Sequence, residues 1–451
     1  MLIYNNQMKK VLLILLCTIG INANAQIQTL TLKDAINYAL ENKADAKKSR
    51  LEIENSEYKI QEVRSLALPQ IAANGSLTYN PILQTNIIDG GAFGAPGTSI
   101  KATFGQDWTS GAGVTLNQAI FDMSVFTGLR AAKSTREFYQ INNQLTEEQV
   151  IERVANNYYA VYVQRERLVL LDSNYVNTTK VRDIVKGQFD NGLAKKTDLD
   201  RIVVKMSNID TERQQVKNQL ELQENSLKFY MGMPIVTQFT IPQEKYEITP
   251  EAFSDAPNTE NRSEYLLLKK QEELLEFQKT AVKAQLYPTL SLVAGYNYIG
   301  QGPNMPWFAK PKDGVYWSDY SAIGLNMRVP IFTGFGTRAK IRQADVDIKL
   351  VQEDIKDTQL ALDLDYRNAK AQIENNYVTI INQKENMRLA QEILKNTKNN
   401  YLQGLASLTD LLDAQNASLE AQNNYTRAIL NYKIAEVALI KSKGELKTLN
   451  K

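Results

Sequence analysis

The chain contains no histidine, and its single cysteine is Cys17. Histidine is the commonest metal ligand and general base, so its absence removes most zinc sites and every nucleophile arrangement built on a Ser–His or Cys–His pair. No clustered catalytic set stands elsewhere in the sequence, so no catalytic residue, metal ligand or cofactor is expected and an exported enzyme has no support. An excess of charge of one sign is missing too, since the formal balance is +2. That gives no support for a nucleic-acid partner. Long apolar runs are also absent. The longest, Val11–Ile19, follows Met8-Lys9-Lys10 and precedes Asn22-Ala-Asn-Ala25. It is far shorter than the ~20 residues of a spanning helix and has the layout of a secretory signal cleaved after Ala25, with Met8 as a fitting start. Cleavage would remove Cys17, Lys9 and Lys10, leaving a mature chain without cysteine and without net formal charge.

What the chain does contain is a pattern present twice. Phe189-Asp-Asn-Gly192-Leu193-Ala-Lys195-Lys196-Thr-Asp198 returns as Tyr401-Leu-Gln-Gly404-Leu405-Ala-Ser-Leu-Thr-Asp410. Each is a Gly-Leu turn between long polar helix-forming stretches, the tip of a helical hairpin. Leu68-Pro69 and Tyr287-Pro288, and likewise Phe121 and Phe332, repeat on the same schedule. A duplicated unit follows. Residues 1–25 form the signal. Residues 26–257 form a first repeat with a helix, a β-hairpin over about 71–121, a helical hairpin with its tip near 192 and a belt linker over 232–257. Residues 258–451 form a second repeat with a β-hairpin over about 289–332 and a tip near 404.

No part of the mature chain is apolar enough for a membrane helix, so any insertion must use strands. Segments near 71–80, 111–121, 289–299 and 320–332 have strand character, and Gly113-Val-Thr-Leu-Asn117 and Ala322-Ile-Gly-Leu-Asn326 alternate apolar with small or polar residues. That two-residue period suits one lipid face and one wet face. The rest reads as long helix. Tyr366, Ala369, Ile373, Asn376, Ile380, Gln383, Met387, Ala390, Leu394, Thr397 and Tyr401 form a heptad seam, in a helix expected over roughly 336–402. Four strands cannot stay an open sheet in lipid, because each unpaired edge group costs several kcal/mol. Two chains would make a barrel that side chains fill, whereas three would make twelve strands and leave a lumen. The fold class is therefore mostly α with a small membrane β-part: a trimeric 12-stranded β-barrel, four strands per chain, continuous with a barrel of long coiled-coil hairpins.

Leu30-Thr-Leu-Lys-Asp-Ala-Ile-Asn-Tyr-Ala-Leu40, the prolines Pro69 and Pro288, Phe121 and Phe332, and both Gly-Leu tips followed by Thr-Asp resemble the outer membrane efflux (TolC-like) family over essentially the whole mature chain. The resemblance implies a homotrimeric outer membrane duct with its helical barrel in the periplasm. It also implies docking to a periplasmic adaptor (membrane fusion) protein and an inner-membrane pump, for efflux or type I secretion. It further implies a periplasmic gate at Asp410 and Asp413, with Tyr401 before the turn and Asp198 on the facing hairpin, and adaptor contact at Gly192, Leu193, Gly404 and Leu405. Ser407-x-x-Asp410 also reads as a helix capping box, so Asp410 has two readings, gate and cap; Asp413 has only the first. An arginine common in the family two residues after the tip glycine is Ala406 here, and Lys195 and Lys196 could replace it by pairing with Asp410 or Asp198. A periplasmic coiled-coil scaffold without a pore is the rival reading.

Overall fold

The computed structural model describes residues 28–94, 96–242 and 258–450. The expected signal, Cys17, Met8 and residues 243–257 of the belt linker lie outside the described residues. The chain divides into two units: Met1–Leu51, Asn142–Leu266 and Asp357–Lys451 in the first, Glu52–Ile141 and Leu267–Lys356 in the second.

The first unit is helical. Helix α1 (Leu32–Asn42) starts at a capping box in which Thr31 and Asp34 exchange hydrogen bonds, and it buries Ala35, Ile36 and Ala39. Helix α2 (Ala44–Ser65) follows and continues into the second unit. Helices α3 (Met123–Asp190) and α4 (Lys196–Met231) form one hairpin, and α6 (Gly336–Leu402) and α7 (Leu408–Lys443) form another. At 1.5 Å per residue, α3 and α6 are each about 100 Å long. Burial along α6 follows the heptad seam: Tyr366, Ala369, Ile373 and Ile380 are buried, and every later seam position to Tyr401 is half-buried. Tyr366, Ile373 and Ile380 pack on Ala428, Tyr432 and Leu439 of α7. A second core joins Ile36 of α1, Val150–Tyr162 of α3, Leu227 and Met231 of α4 and Phe239. It is fastened by a short parallel pairing of β1 (Gln28–Thr29) with β6 (Phe239–Thr240) and by the Tyr158 hydroxyl donating to the Leu30 carbonyl at 3.1 Å. The sequence did not suggest this pairing, because two residues per strand carry no period. Lys441 of α7 and Lys447, in the short turn after it, pair with Glu152 and Glu147 of α3 at 3.0 and 2.9 Å, so the chain runs antiparallel to α3 there.

The second unit holds helix α5 (Ser263–Ala284), whose first residues belong to the first unit, and an antiparallel sheet of β2 (Gln70–Tyr79), β5 (Trp108–Phe121), β7 (Thr289–Gly302) and β8 (Tyr316–Arg328), in that spatial order. The register decides which side chains share a face, since successive residues point to opposite sides. Pairings Ala73↔Val114, Val114↔Tyr296, Leu116↔Ala294, Ala294↔Ile323 and Leu292↔Leu325 place Ile71, Leu77, Val114, Leu116, Leu290, Leu292, Ile323, Leu325 and Met327 on one face. The opposite face carries Asn74, Ser76, Thr78, Thr115, Asn117, Ser291, Asn297 and Asn326. Paired rings close one end of the apolar face, with Tyr79 and Trp108 tilted at 4.7 Å and Tyr298 and Trp317 stacked at 4.8 Å. The outer strands β2 and β8 pair on one side only among the described residues. Strand β8 ends at Arg328 rather than near 332, because Pro330 has no N–H to donate to a ladder. Between β2 and β5 in the chain lies a separate hairpin of β3 (Thr85–Asp89) and β4 (Ser99–Thr103). Among the described residues no helix is long and apolar enough to cross a membrane.

Candidate functional site at the helical tips

The two tips make the same turn. At the end of α3, the Gly192 N–H donates to the Phe189 carbonyl at 2.9 Å and the Leu193 N–H reaches back to the Gln188 carbonyl at 2.7 Å. At the end of α6, Gly404 donates to Tyr401 at 3.0 Å and Leu405 to Asn400 at 2.8 Å. This double closure satisfies the last helical carbonyls and needs a left-handed residue, which glycine supplies at φ 74° and 75°. In that motif the residue after the glycine usually makes an apolar contact back onto the helix. Here Leu193 and Leu405 are 81% and 74% exposed, so both leucines project from the turn.

Beneath the turns, one apolar cluster binds the hairpins together: Val181 and Val185 of α3, Ile202 and Met206 of α4, Leu408 and Leu411 of α7, with Tyr401 and Leu394 of α6 partly buried against it. Polar bridges flank it. The Tyr401 hydroxyl donates to Gln188 Oε1 at 3.3 Å, Arg201 donates to Thr409 Oγ1 at 2.9 Å, and Lys205 bonds Asn416. Burial raises the Tyr401 phenol above its ordinary pKa, and the negative charge of Asp198 adds to that. Burial lowers the Lys205 ammonium, with Glu212 pulling the other way.

Asp410 closes a complete capping box: its Oδ2 accepts the Ser407 N–H at 2.8 Å and the Ser407 hydroxyl at 2.7 Å, and its own N–H donates to Ser407 Oγ at 3.1 Å. Those donors hold its carboxyl below the usual range, the Ser407 hydroxyl first. Asp413, one turn further on, is exposed. On the other tip, Lys195 stands at the helix start where Ser407 stands in α7 and makes no side-chain cap; Asp198 is half-buried. Lys195 and Lys196 are exposed, and among the described residues neither pairs with Asp410 or Asp198. What joins the hairpins instead is Arg201, Lys205 and Gln188, none of which sequence reasoning singled out. A faint signal existed, since Arg201 and Lys205 lie four apart on one helical face and Thr409 and Asn416 seven apart on another. The partners are more than 200 residues distant in sequence, and nothing local pairs them.

Two long helical hairpins joined to a sheet with one apolar and one polar face define an envelope channel protein of the strand-and-coiled-coil type. The family model described as outer membrane efflux protein matches residues 35–233 and 269–445, and the chain belongs to that family and to the outer membrane. Among similar proteins, TolC of Salmonella enteritidis is 22% identical over 98% of this chain and 87% of its own length. The outer membrane efflux protein BepC of Brucella suis is 22% identical over 92% and 86%. Among solved structures, VceC of Vibrio cholerae superposes with a TM-score of 0.72 at 15% identity, over 92% of this chain and 96% of that one. The CmeC outer membrane channel of Campylobacter jejuni gives 0.72 at 18%, over 92% and 85%. CmeC is described as a channel and the other three as outer membrane proteins, and a place in the outer membrane does not suit a scaffold confined to the periplasm.

Proposed function

We propose that three copies of this duplicated chain assemble into one exit duct, a passive conduit of a tripartite efflux or secretion system. The observation that carries this reading is the four-stranded sheet. Its apolar face suits hydrocarbon and its polar face suits water, yet β2 and β8 are left with open edges. An open edge in lipid leaves backbone groups unsatisfied, and pairing β8 of one copy with β2 of the next removes every edge at once. Twelve strands enclose a lumen, and the hairpins continue it as a periplasmic barrel of helices.

In this reading the mouth of the duct lies at the tips. Asp410 and Asp413, with Tyr401 and Asp198, line a constriction, and threefold repetition concentrates carboxylates there, attracting cations. Lys195 and Lys196 flank that mouth. Replacing Asp410 and Asp413 by Asn is expected to weaken cation selectivity and divalent block in single-channel recordings from purified protein; selectivity identical to the unaltered channel would remove the gate. Gly192-Leu193 and Gly404-Leu405 form the docking points for a periplasmic adaptor that links the duct to an inner-membrane pump. The two projecting leucines support this, since an exposed apolar side chain at an apex suits a partner. A photocrosslinker at position 193 or 405 should capture the adaptor; crosslinks confined to copies of this chain would leave the leucines with a turn-forming role alone.

A further inference from the structure

The four strands of the membrane sheet contain only two charged side chains, Asp319 and Arg328. Asp319 shares the face of Tyr298 and accepts a hydrogen bond from the Tyr296 hydroxyl. Arg328 pairs in register with Thr289, which puts it on the polar face with Ser291 and Asn326. It is therefore the sole charge that these strands place on that face, at the end nearest the helices. Its guanidinium is exposed and has no hydrogen bond or ion pair among the described residues.

A cavity of about 400 Å³ opens beside it, lined by Arg328, Thr289, Thr333, Thr337, Asp122 and Ser124 among others. All of these residues belong to the second unit. The one carboxylate in the lining is already engaged. Asp122 accepts the Ser124 N–H at 2.8 Å and the Ser124 hydroxyl at 2.6 Å at the start of α3, where the helix dipole also favours negative charge. Thr337 is the opposite case. It is only 7% exposed, lines the cavity and makes no side-chain hydrogen bond among the described residues. It also lies in the first turn of α6, where the Gly336 and Ala339 N–H groups already donate to the Thr333 and Phe335 carbonyls and the Thr337 and Arg338 amides have no partner within the helix. A free guanidinium, a largely buried threonine whose unpaired hydroxyl opens on the cavity, and a helix N-terminus are the parts of an anion site.

We propose that this cavity binds an oxyanion, a phosphate, sulfate or carboxylate group, held by Arg328 and Thr337. With the polar face lining the lumen, as the proposed duct has it, Arg328 meets anionic groups of solutes in passage and opposes the acidic mouth at the tips. That placement rests on the proposed duct; the site itself does not.

The test is calorimetric titration of pyrophosphate into the detergent-solubilised full chain. Saturable binding is expected, and Arg328→Gln should weaken it about tenfold, the size of a lost hydrogen bond to a charged group. Thr337→Val should weaken it severalfold, while Arg328→Lys should retain most of it. Arg328 is exposed at a strand end, so its variants are expected to fold, and circular dichroism checks this. The same chemistry could come from a lipid headgroup, so native mass spectrometry forms a second arm. Phospholipid that co-purifies with the protein and is lost in Arg328→Gln would support the site and assign the oxyanion to lipid. Binding and lipid retention both unaffected by Arg328→Gln, or absent altogether, would overturn it. A chain that binds pyrophosphate through Arg328 yet conducts no ions would remove the proposed duct and leave the site standing.

Discussion

At the residue scale, the start of α7 ties one carboxylate, Asp410, to a helix cap, and the proposed duct gives the same group a place at its mouth. Asp410 accepts two hydrogen bonds from Ser407, and those bonds keep its carboxyl below the ordinary range. A group whose folded pKa is lowered stabilises the fold above its unfolded pKa, and that contribution fades as the pH drops through the folded value. The tip of the second hairpin is therefore expected to loosen in acid, below the usual carboxylate range, and not near neutrality. Ser407→Ala removes the hydroxyl that answers the Asp410 N–H, a cap change worth about 1 kcal/mol. Amide hydrogen exchange over Leu408–Leu411 should then quicken by about fivefold at neutral pH. It should also lose part of its acid dependence. Exchange unchanged at both pH values would show that Asp410 gains nothing from the box. The first tip lacks this device, since Lys195 places a cation at a helix start, where the dipole disfavours it.

At the element scale, the sheet is decided by alternation. Leu325 and Asn326 are adjacent in sequence and point to opposite faces, the first beside Leu292 and the second beside Ser291. If the apolar face meets lipid, Leu325→Arg places a charge in hydrocarbon at about 2–4 kcal/mol, depending on depth. Asn326→Arg places it in water at little cost. Outer membrane yield and heat-modifiable migration should thus collapse for Leu325→Arg and persist for Asn326→Arg; equal behaviour would remove the lipid face. The same alternation is what made these strands legible. Gly113-Val-Thr-Leu-Asn117 and Ala322-Ile-Gly-Leu-Asn326 show it plainly, and the α6 seam from Tyr366 to Tyr401 shows its 3.5-residue counterpart, so the helix bounds follow closely. Where period is lost, legibility goes with it. The β3–β4 hairpin hides behind Gly90, Gly91 and Gly94, and β1 and β6 are two residues long, too short for any period to appear. The tip glycines and acids stand out because they repeat. Arg201–Thr409 and Lys205–Asn416 do not, because a contact across 208 or 211 residues depends on how the hairpins pack and not on any local pattern.

At the scale of the whole molecule, the repeat itself predicts the assembly. A shift of 212 residues carries Gly192 onto Gly404, Thr197 onto Thr409 and Arg201 onto Asp413. Within one chain, Arg201 of the first hairpin donates to Thr409 of the second. In a ring where first and second hairpins alternate around three copies, the same geometry recurs at the junction between copies, with the equivalents exchanged. Asp413 of one copy then faces Thr197 of the next. The chain is suited to a cysteine-crosslinking test, because Cys17 is its only cysteine and falls within the expected signal. Cysteines at 201 and 409, bridged by a reducible bis-thiol reagent that spans the reach of the arginine side chain, should link within a chain and leave its mass on a denaturing gel unchanged. With the same reagent, cysteines at 413 and 197 should link between chains, give dimers and trimers, and block conduction until reduced. Formation of the 413–197 link inside a single chain, or no link at all while 201–409 closes readily, would break the alternating ring and the duct built on it. Both links lie at the tips, far along the sequence from any strand, so the outcome judges the helical assembly independently of the sheet.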